Sequence, residues 1–278
     1  MLLLAAGCAR PAADAHRYSL QGRVLEVDEG GARARVAHED IPGFMPAMTM
    51  SFAVRDTAAG AELRPGDAIR AVLVVTDDES WLEQVKIVAR GLPVPEESAV
   101  VAHPEPQIGA QVPDVHLVDQ DGQPLRLLDL RGSAVALTFI FTRCPLPDFC
   151  LRMSHHFAEL ERLLAARPDL QAATRLVSVS FDSEHDTPAV LSAYGRRYTK
   201  PPFRHWRFAS GDPAEVRRLA DFAGLEYQAD QGSFVHNLRT IVIDPQGRLA
   251  ALFQGNAWQP GDLLKSLAHA AENPGTQY

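Results

Sequence analysis

Hydrophobic and polar residues alternate in five short segments of the first third of the chain, at positions 20–27, 32–38, 48–54, 68–75 and 81–88. A period of two residues is typical of a β-strand with one buried face. Turn-forming sequences such as Arg64-Pro65-Gly66-Asp67 separate the segments, and no helical pattern competes with them. The pattern therefore predicts five antiparallel strands that close into a small barrel of the OB type.

From residue 108 onward, the pattern changes to strands that alternate with helices. The apolar run at 134–141 predicts a strand that is buried on both faces, and residues 175–181 predict a second buried strand. The other predicted elements are a hairpin over 112–130, helices beginning at Thr187 and Asp212, a strand pair at 240–243 and 249–253, and a last helix over 260–271. This alternation predicts a second domain of the α/β class.

The length of 278 residues also favours two domains. We assign residues 18–90 to the barrel and residues 108–278 to the α/β domain. Residues 91–107 carry four prolines and show no apolar period, so they predict an extended linker. Hydrophobic residues make up 46% of the chain, which is ample for two cores.

The formal net charge of −8 argues against nucleic acid as a partner, because phosphate binding requires a positively charged surface. The sequence contains no run of about 18 apolar residues that would span a bilayer as a helix. We therefore expect a chain that is either soluble or tethered to a membrane surface.

The first residues, Met1-Leu2-Leu3-Leu4-Ala5-Ala6-Gly7-Cys8, resemble the end of a bacterial lipoprotein signal, in which the cysteine is lipidated. The stretch lacks the charged start and the full apolar length of such a signal, so we expect the true translation start to lie upstream. Residues 1–17 are accordingly predicted to be a signal remnant and tether that anchors an extracytoplasmic, periplasmic protein at Cys8. The alternative is a frayed terminus with an incidental cysteine.

Two of the three cysteines, Cys144 and Cys150, follow the apolar run at 134–141. The carboxyl ends of central strands are where open α/β sheets place their chemistry. Apolar residues recur at helical spacing after Cys150, so the positive end of a helix dipole would favour a thiolate there. A strand, a dithiol loop and a helix in this order predict a thioredoxin-like fold.

Five residues separate the two cysteines, whereas thioredoxin motifs have two. Prolines between them favour a turn that brings the sulfurs together, either as a disulfide or as a site for a soft metal. Two unrelated buried cysteines are the third interpretation. Lone thiols are uncommon in an oxidising compartment, which favours the first two.

Three of the five methionines, Met45, Met48 and Met50, lie within six residues. Met48 and Met50 are two positions apart on a predicted strand, so their side chains share one face. His38 ends the preceding strand and is expected to lie close to them. A single methionine is more often part of a core, but thioethers with one imidazole suit Cu(I) or Ag(I). The cluster therefore predicts a soft-metal site.

The segment from His38 to Met50 resembles the CusF-type periplasmic copper-binding proteins, whose motif pairs a histidine with Trp-Pro-x-Met-Thr-Met. Here the second part of the motif reads Met45-Pro46-Ala47-Met48-Thr49-Met50. The resemblance implies copper ligation by His38, Met48 and Met50. Met45 replaces the capping Trp of that family, so a thioether stands where a cation–π contact is usual.

The second domain resembles the Sco (SenC) family over nearly its whole length. The sequences that carry the resemblance are Phe141-Thr142-Arg143-Cys144-Pro145, Phe181-Asp182-Ser183-Glu184-His185-Asp186-Thr187-Pro188, His205-Trp206-Arg207-Phe208 and Val235-His236. That family binds copper through two cysteines and a distal histidine, which implies Cys144, Cys150 and His236 here. The spacing of five residues between the cysteines departs from the three that are usual in the family.

The two resemblances together imply a metallochaperone. It would take up Cu(I) at the Met/His site and hold it at the Cys2His site, with Cu(II) as the second candidate ion. The expected recipient is the copper subunit of a respiratory cytochrome c oxidase or another cuproprotein. Periplasmic copper donors and thiol reductants are the other expected partners.

The alternative function is thiol:disulfide exchange, in which Cys144 is the attacking thiolate and Cys150 the resolving thiol. The sequence around Val235-His236-Asn237 lacks the cis-proline of thioredoxins, which favours metal binding over pure redox exchange. A peroxidase is disfavoured because Thr142 lies two residues before Cys144, where the peroxiredoxin motif has three.

Other polar residues near the motifs are given weaker roles. His155 and His156 are expected to be a solvated pair on the helix after the cysteines. Asp148, between the cysteines, is expected either to tune the pKa of the thiols or the approach of a partner, or to be an exposed loop carboxylate. The single histidines are expected in core or surface positions: His116, His185 and His205.

Overall fold

The computed structural model describes residues 15–45, 47–76, 79–93, 106–230 and 233–273 of the chain. The chain divides into two compact units, one ending at Pro95 and the other beginning at Glu96. Cys8, the residues before it and most of the predicted linker lie outside the described residues. In the described part, no helix is both long and apolar enough to cross a membrane.

The described part of the first unit contains five strands, β1 (His16–Val27), β2 (Arg33–His38), β3 (Met48–Val54), β4 (Ala68–Val75) and β5 (Ser80–Ala89). They form a closed barrel in the order β1-β2-β3-β5-β4, and β1 pairs with both β2 and β4. Alternate residues of β3 are buried, as a period of two requires. The predicted five-stranded barrel is confirmed.

The barrel differs from the prediction in two respects. β3 and β5 pair in parallel, with Ala53 opposite Trp81, whereas only antiparallel pairs were predicted. A short helix, α1 (Thr57–Glu62), follows β3, where no helix was predicted. Its sequence has no apolar period, and it forms because the Asp56 side chain accepts the N–H of Ala59 at 3.2 Å.

The second unit contains nine described strands: β6 (His116–Asp119), β7 (Pro124–Arg126), β8 (Ala134–Ile140), β9 (Thr174–Ser180), β10 (Trp206–Gly211), β11 (Tyr227–Asp230), β12 (Ser233–His236), β13 (Arg239–Ile243) and β14 (Leu249–Gln254). Seven form one sheet in the order β14-β13-β8-β9-β10-β6-β7, and β11 and β12 form a separate hairpin. The central strands β8, β9 and β10 run parallel, while the outer strands are antiparallel to their neighbours. β10 and the β11–β12 hairpin were not predicted.

Five α-helices lie in the described part of this unit: α2 (Arg152–Ala165), α3 (Pro168–Ala172), α4 (Pro188–Gly195), α5 (Pro213–Ala223) and α6 (Pro260–Glu272). A short 3-10 helix covers Leu127–Leu130, and a π-helical turn covers Pro147–Leu151. α4 and α5 begin where the sequence predicts, because Thr187 and Asp212 cap their first N–H groups. α5 ends at Gly224, whose φ of +67° is a left-handed conformation that glycine adopts without cost. The α/β architecture is therefore confirmed.

The position of β8 determines where the chemistry lies. All seven of its residues are buried between β13 and β9. Because β8 and β9 are parallel, the segments that follow them leave the sheet at the same edge. One of these segments carries the two cysteines.

Candidate metal centres

Cys144 and Cys150 lie between the central strand and a helix. β8 ends at Ile140 and α2 begins at Arg152. Cys144 is 9% exposed and Cys150 is 0% exposed, and both are free thiols. The segment from Cys144 to Cys150, called the cysteine loop below, therefore directs both sulfurs into the protein.

His236, the last residue of β12, completes a cluster of three ligand atoms. Its Nε2 lies 3.9 Å from the Sγ of Cys150. The two sulfurs and a ring nitrogen of His236 all lie within 4.8 Å of one another. A three-coordinate ion with bonds of about 2.0–2.3 Å sets its ligand atoms about 3.5–4 Å apart. The structure thus brings the three residues predicted from the family resemblance close to the spacing that a metal ion requires.

The backbone fixes the orientation of the His236 ring. Its Nδ1 lies 2.7 Å from the carbonyl oxygen of Asn237. A carbonyl oxygen only accepts, so Nδ1 carries a proton and Nε2 is the nitrogen that faces the sulfurs. Nε2 donates to a thiolate when it is protonated and offers its lone pair to a metal when it is not. This arrangement is common around metal-ligating histidines.

Burial and mutual contact separate the pKa values of the two thiols. Burial raises the pKa of Cys150 well above its ordinary value, and the adjacent Cys144 sulfur raises it further. Burial opposes ionisation of Cys144 as well. Hydrogen bonds from Cys150 and His236 outweigh burial there, and hold the pKa of Cys144 well below its ordinary value. In the metal-free protein, Cys144 is therefore the more readily ionised thiol of the pair.

Aromatic rings enclose the imidazole of His236. The ring centroids of Phe141, Phe149 and Phe181 lie 5.6, 5.9 and 5.1 Å from it. Phe234 packs edge-on against Phe141 at 5.4 Å and extends the shell. An apolar shell of this kind limits water around the ligands and strengthens electrostatic interactions within it.

Two buried carboxylates bind the two residues just before Cys144, Thr142 and Arg143. Asp186 accepts hydrogen bonds from the N–H of Thr142 at 3.0 Å and from its hydroxyl at 2.5 Å. Asp182 accepts two hydrogen bonds from the guanidinium of Arg143, at 3.0 and 2.7 Å. Both carboxylates follow β9 and so reach the segment that follows the parallel strand β8.

Asp182 and Asp186 lie in a segment that carries the resemblance to the Sco family, but the sequence analysis assigned no role to either carboxylate. The available signal was the spacing of Asp182 and Asp186 directly after a buried strand. Their hydrogen-bond partners lie about 40 positions earlier in the chain, so the contact follows only from the pairing of β8 with β9.

Asp148 lies inside the protein. Asp148 is only 6% exposed, so the expectation that it is an exposed loop carboxylate is wrong. Asn256, in the turn after β14, donates from Nδ2 to the carbonyl oxygen of Asp148 at 2.6 Å. Sequence reasoning did not single out Asn256.

The adjacent histidines on α2 differ from each other. His155 is exposed and packs edge-on against Tyr198, with ring centroids 5.2 Å apart. His156 is half-buried against Trp258, with ring centroids 4.7 Å apart. Burial, with a smaller contribution from nearby positive charge, lowers the pKa of His156 to about 4. The expectation of a solvated pair is therefore wrong for His156.

The single histidines lie where the sequence analysis expected them. His116 and His185 are exposed. His205 is half-buried, with its Nε2 3.2 Å from the hydroxyl of Thr174. None of them belongs to a group of three or more ligating side chains within the described residues.

The barrel brings its predicted ligands onto two neighbouring strands. His38 on β2 lies directly opposite Met48 on β3, and Met50 lies opposite Val36. Met48 and Met50 are 9% and 8% exposed and lie on the buried face of β3. His38 is 3% exposed, with its Nδ1 2.7 Å from the carbonyl oxygen of Glu39.

Met45 lies in the tight loop that joins β2 to β3. The N–H of Ile41 donates to the carbonyl of Met45 at 2.8 Å, and the N–H of Met45 donates back at 3.1 Å. Met45 is 4% exposed.

Trp81 on β5 is buried, and the guanidinium of Arg55 lies 3.6 Å from its ring centroid. The cation–π partner of Trp81 is therefore a side chain of the protein.

A buried dithiol and an imidazole at the end of a central strand, together with a barrel that carries histidine and methionines, are the features of a soft-metal-binding protein. Residues 105–272 match the family model described as SCO1/SenC. Residues 17–87 match the model described as copper binding periplasmic protein CusF. The first match covers more than half of the chain, so the protein belongs to the SCO1/SenC family and carries a CusF-like barrel. Copper is the metal of both the SCO1/SenC family and the CusF-like barrel.

Solved structures share the fold of the second unit. Arabidopsis thaliana ScoI with copper bound is 19% identical, covers 59% of this chain and 99% of its own, and superposes with a TM-score of 0.51. A SCO1/SenC family lipoprotein from Bacillus anthracis str. Ames is 21% identical, covers 59% and 96%, and gives 0.53. BsSco, described as a member of the Sco family of cytochrome c oxidase assembly proteins, is 24% identical, covers 61% and 98%, and gives 0.52.

Proposed function

We propose that this protein is an extracytoplasmic, membrane-tethered copper metallochaperone that supplies the copper centre of a cytochrome c oxidase. The observation that carries the proposal is the cluster of the Cys144, Cys150 and His236 ligand atoms, all within 4.8 Å of one another. Copper is the cargo of the protein, which binds the ion and releases it without a chemical change of either.

The chemistry of the three groups suits Cu(I). Two thiolates and one imidazole form a soft, low-coordinate ligand set, which disfavours Mg²⁺ or Ca²⁺. Binding requires that Cys150 lose its proton, and the positive charge of the ion favours that loss. His236 already presents Nε2 to the sulfurs because Nδ1 donates to a backbone carbonyl. Little reorganisation is therefore needed on binding.

The barrel is the proposed entry site. His38 on β2 is paired with Met48 on β3, Met50 lies two residues further along the same face of β3, and Met45 is the proposed fourth group. Thioethers are neutral and bind Cu(I) more weakly than thiolates, so transfer from the barrel to the dithiol is downhill. Both sites belong to one chain, and the predicted linker of residues 91–107 gives an effective concentration on the order of millimolar.

The recipient and the location are drawn from the relatives. BsSco is described as belonging to a family of oxidase assembly proteins, and the barrel model is that of a periplasmic protein. The Bacillus anthracis relative is described as a lipoprotein. Lipidation at Cys8 would tether the chain to the membrane that holds the oxidase.

An anaerobic Cu(I) titration of the reduced protein, in competition with a chromophoric chelator, tests the proposal. We expect two tightly bound equivalents in the wild type and one each in Cys144→Ser and Met48→Ala. Met153→Leu is the matched control, because Met153 is a buried core methionine of α2 outside both clusters. Two equivalents retained in Cys144→Ser would contradict the dithiol centre, and no binding by the wild type would contradict the whole proposal.

Thiol:disulfide exchange is the second candidate, and the unequal pKa values of the two thiols favour it. The Cys144 thiolate would attack a partner disulfide and release one partner thiol. The Cys150 sulfur, on losing its proton, would then attack Cys144 Sγ and release the second, which leaves an internal disulfide for an external dithiol to reduce. A His236→Ala variant that loses copper and keeps exchange would show that the two functions are separable.

A further inference from the structure

The turn that follows β14 contacts the cysteine loop directly. We call residues 255–258 the anchor turn. Its Asn256 donates from Nδ2 to the carbonyl oxygen of Asp148 at 2.6 Å, slightly shorter than the usual range for N–H···O bonds. Trp258 donates from its indole nitrogen to the carbonyl of Gly255 at 3.0 Å, which closes the anchor turn on itself. The Asn256 amide is therefore presented by a fixed piece of backbone.

The bonded carbonyl belongs to the least regular part of the cysteine loop. The peptide that follows Asp148 leads into Phe149, whose φ of −108° and ψ of −115° interrupt the helical turn before Cys150. The N–H of Phe149 donates to the carbonyl of Leu146 at 3.3 Å, and that of Cys144 to Phe141 at 3.3 Å. Both distances are longer than usual for an N–H···O bond, so these two backbone contacts restrain the loop only weakly.

The anchor turn also contacts the segments that carry the other ligands. The N–H of Gly255 donates to the carbonyl of Leu238 at 3.0 Å, two residues after His236. The ring of Trp258 packs against that of His156 on α2, the helix that follows Cys150. One short turn thus touches the loop before Cys150, the helix after it and the segment that carries His236.

We propose that Asn256 is a positioning residue for the copper centre. Its amide fixes the peptide between Asp148 and Phe149, and so sets where the Cys150 sulfur lies relative to Cys144 and His236. The inference rests on the proposed copper function. Asn256 itself touches neither the metal nor the sulfurs in this account.

Replacing Asn256 by aspartate keeps the shape of the side chain and removes its donor, which places an acceptor against the carbonyl of Asp148. We expect Asn256→Asp and Asn256→Ala to weaken Cu(I) binding at the dithiol centre by about 2- to 10-fold, the factor that one hydrogen bond supplies. Gln246→Ala, at an exposed residue of another turn, is the matched control. The variants are made in the full chain and measured by chelator competition.

A second readout separates this inference from the function on which it rests. The equilibrium between the metal-free dithiol and its disulfide, measured against glutathione, reports how readily the sulfurs of Cys144 and Cys150 meet. We expect disulfide formation to become about 2- to 10-fold less favourable in Asn256→Asp, the factor that one hydrogen bond supplies. If the wild-type protein failed to bind copper, the proposed function would be overturned. The glutathione equilibrium would still test whether Asn256 positions the two sulfurs. If both readouts match the wild type, or only the unfolding temperature changes, the inference is wrong.

Discussion

Asp186 offers a quantitative test of how the dithiol centre is held. Its buried carboxylate accepts the N–H of Thr142 at 3.0 Å and the hydroxyls of Thr142 and Ser180 at 2.5 Å each. Replacing Asp186 by alanine leaves three donors without this acceptor. Hydroxyls can turn to other acceptors, but the Thr142 N–H cannot. With about 1–3 kcal/mol for each buried donor left unpaired, we expect Asp186→Ala to destabilise the second unit by about 3 kcal/mol.

The isosteric variant Asp186→Asn should cost less, about 1–2 kcal/mol, because the side-chain oxygen can still accept two of the bonds while their charge assistance is lost. Native-state hydrogen exchange of peptides from β8 in the full-length protein reports the opening free energy of this unit alone. Asp169→Ala, at an exposed carboxylate on α3, is the control and should change it by less than about 0.5 kcal/mol. If Asp186→Ala changed the opening free energy as little as the control does, the role given to Asp186 would be refuted.

Three further outcomes follow from the two sites. His236→Ala should weaken Cu(I) binding at the dithiol centre by more than about 100-fold in chelator competition, since a ligand contributes more than an outer-shell partner; unchanged affinity would exclude it as a ligand. In the metal-free protein, the pKa of Cys144 is lowered and that of Cys150 is raised. Iodoacetamide should therefore label Cys144 first at pH values below about 8.5, the ordinary thiol pKa. Equal labelling of both thiols would argue against that assignment. Met45→Leu should lower the Cu(I) affinity of the barrel site about 10-fold while Met153→Leu leaves it unchanged, and equal behaviour of the two variants would remove Met45 from the site.

The central elements of both units could be predicted from local pattern. The unbroken apolar run at 134–141 is buried along its length because β8 has sheet neighbours on both sides and helices around it. The alternation in β3 places Met48 and Met50 on one buried face, and the end of β2 places His38 opposite Met48. These features depend on periods of a few residues, which a sequence displays directly.

Other features depend on contacts between distant segments. The parallel pairing of β3 with β5 and the hydrogen bonds of Asp186 to Thr142 have no local signal. His236 was identified only through the family resemblance, because a single histidine on a four-residue strand has no pattern of its own. Asn256 lies more than 100 positions from the loop that it contacts, and its sequence context is an ordinary turn.

X-ray absorption at the copper edge tests the central claim most directly, on reduced Met48→Ala protein loaded with one equivalent of Cu(I). The account predicts a first shell of two sulfurs and one nitrogen, which loses one sulfur in the double variant with Cys150→Ser and its nitrogen in the double variant with His236→Ala. A shell that stays the same when Cys150 or His236 is replaced would show that copper binds elsewhere, and would contradict the proposed centre.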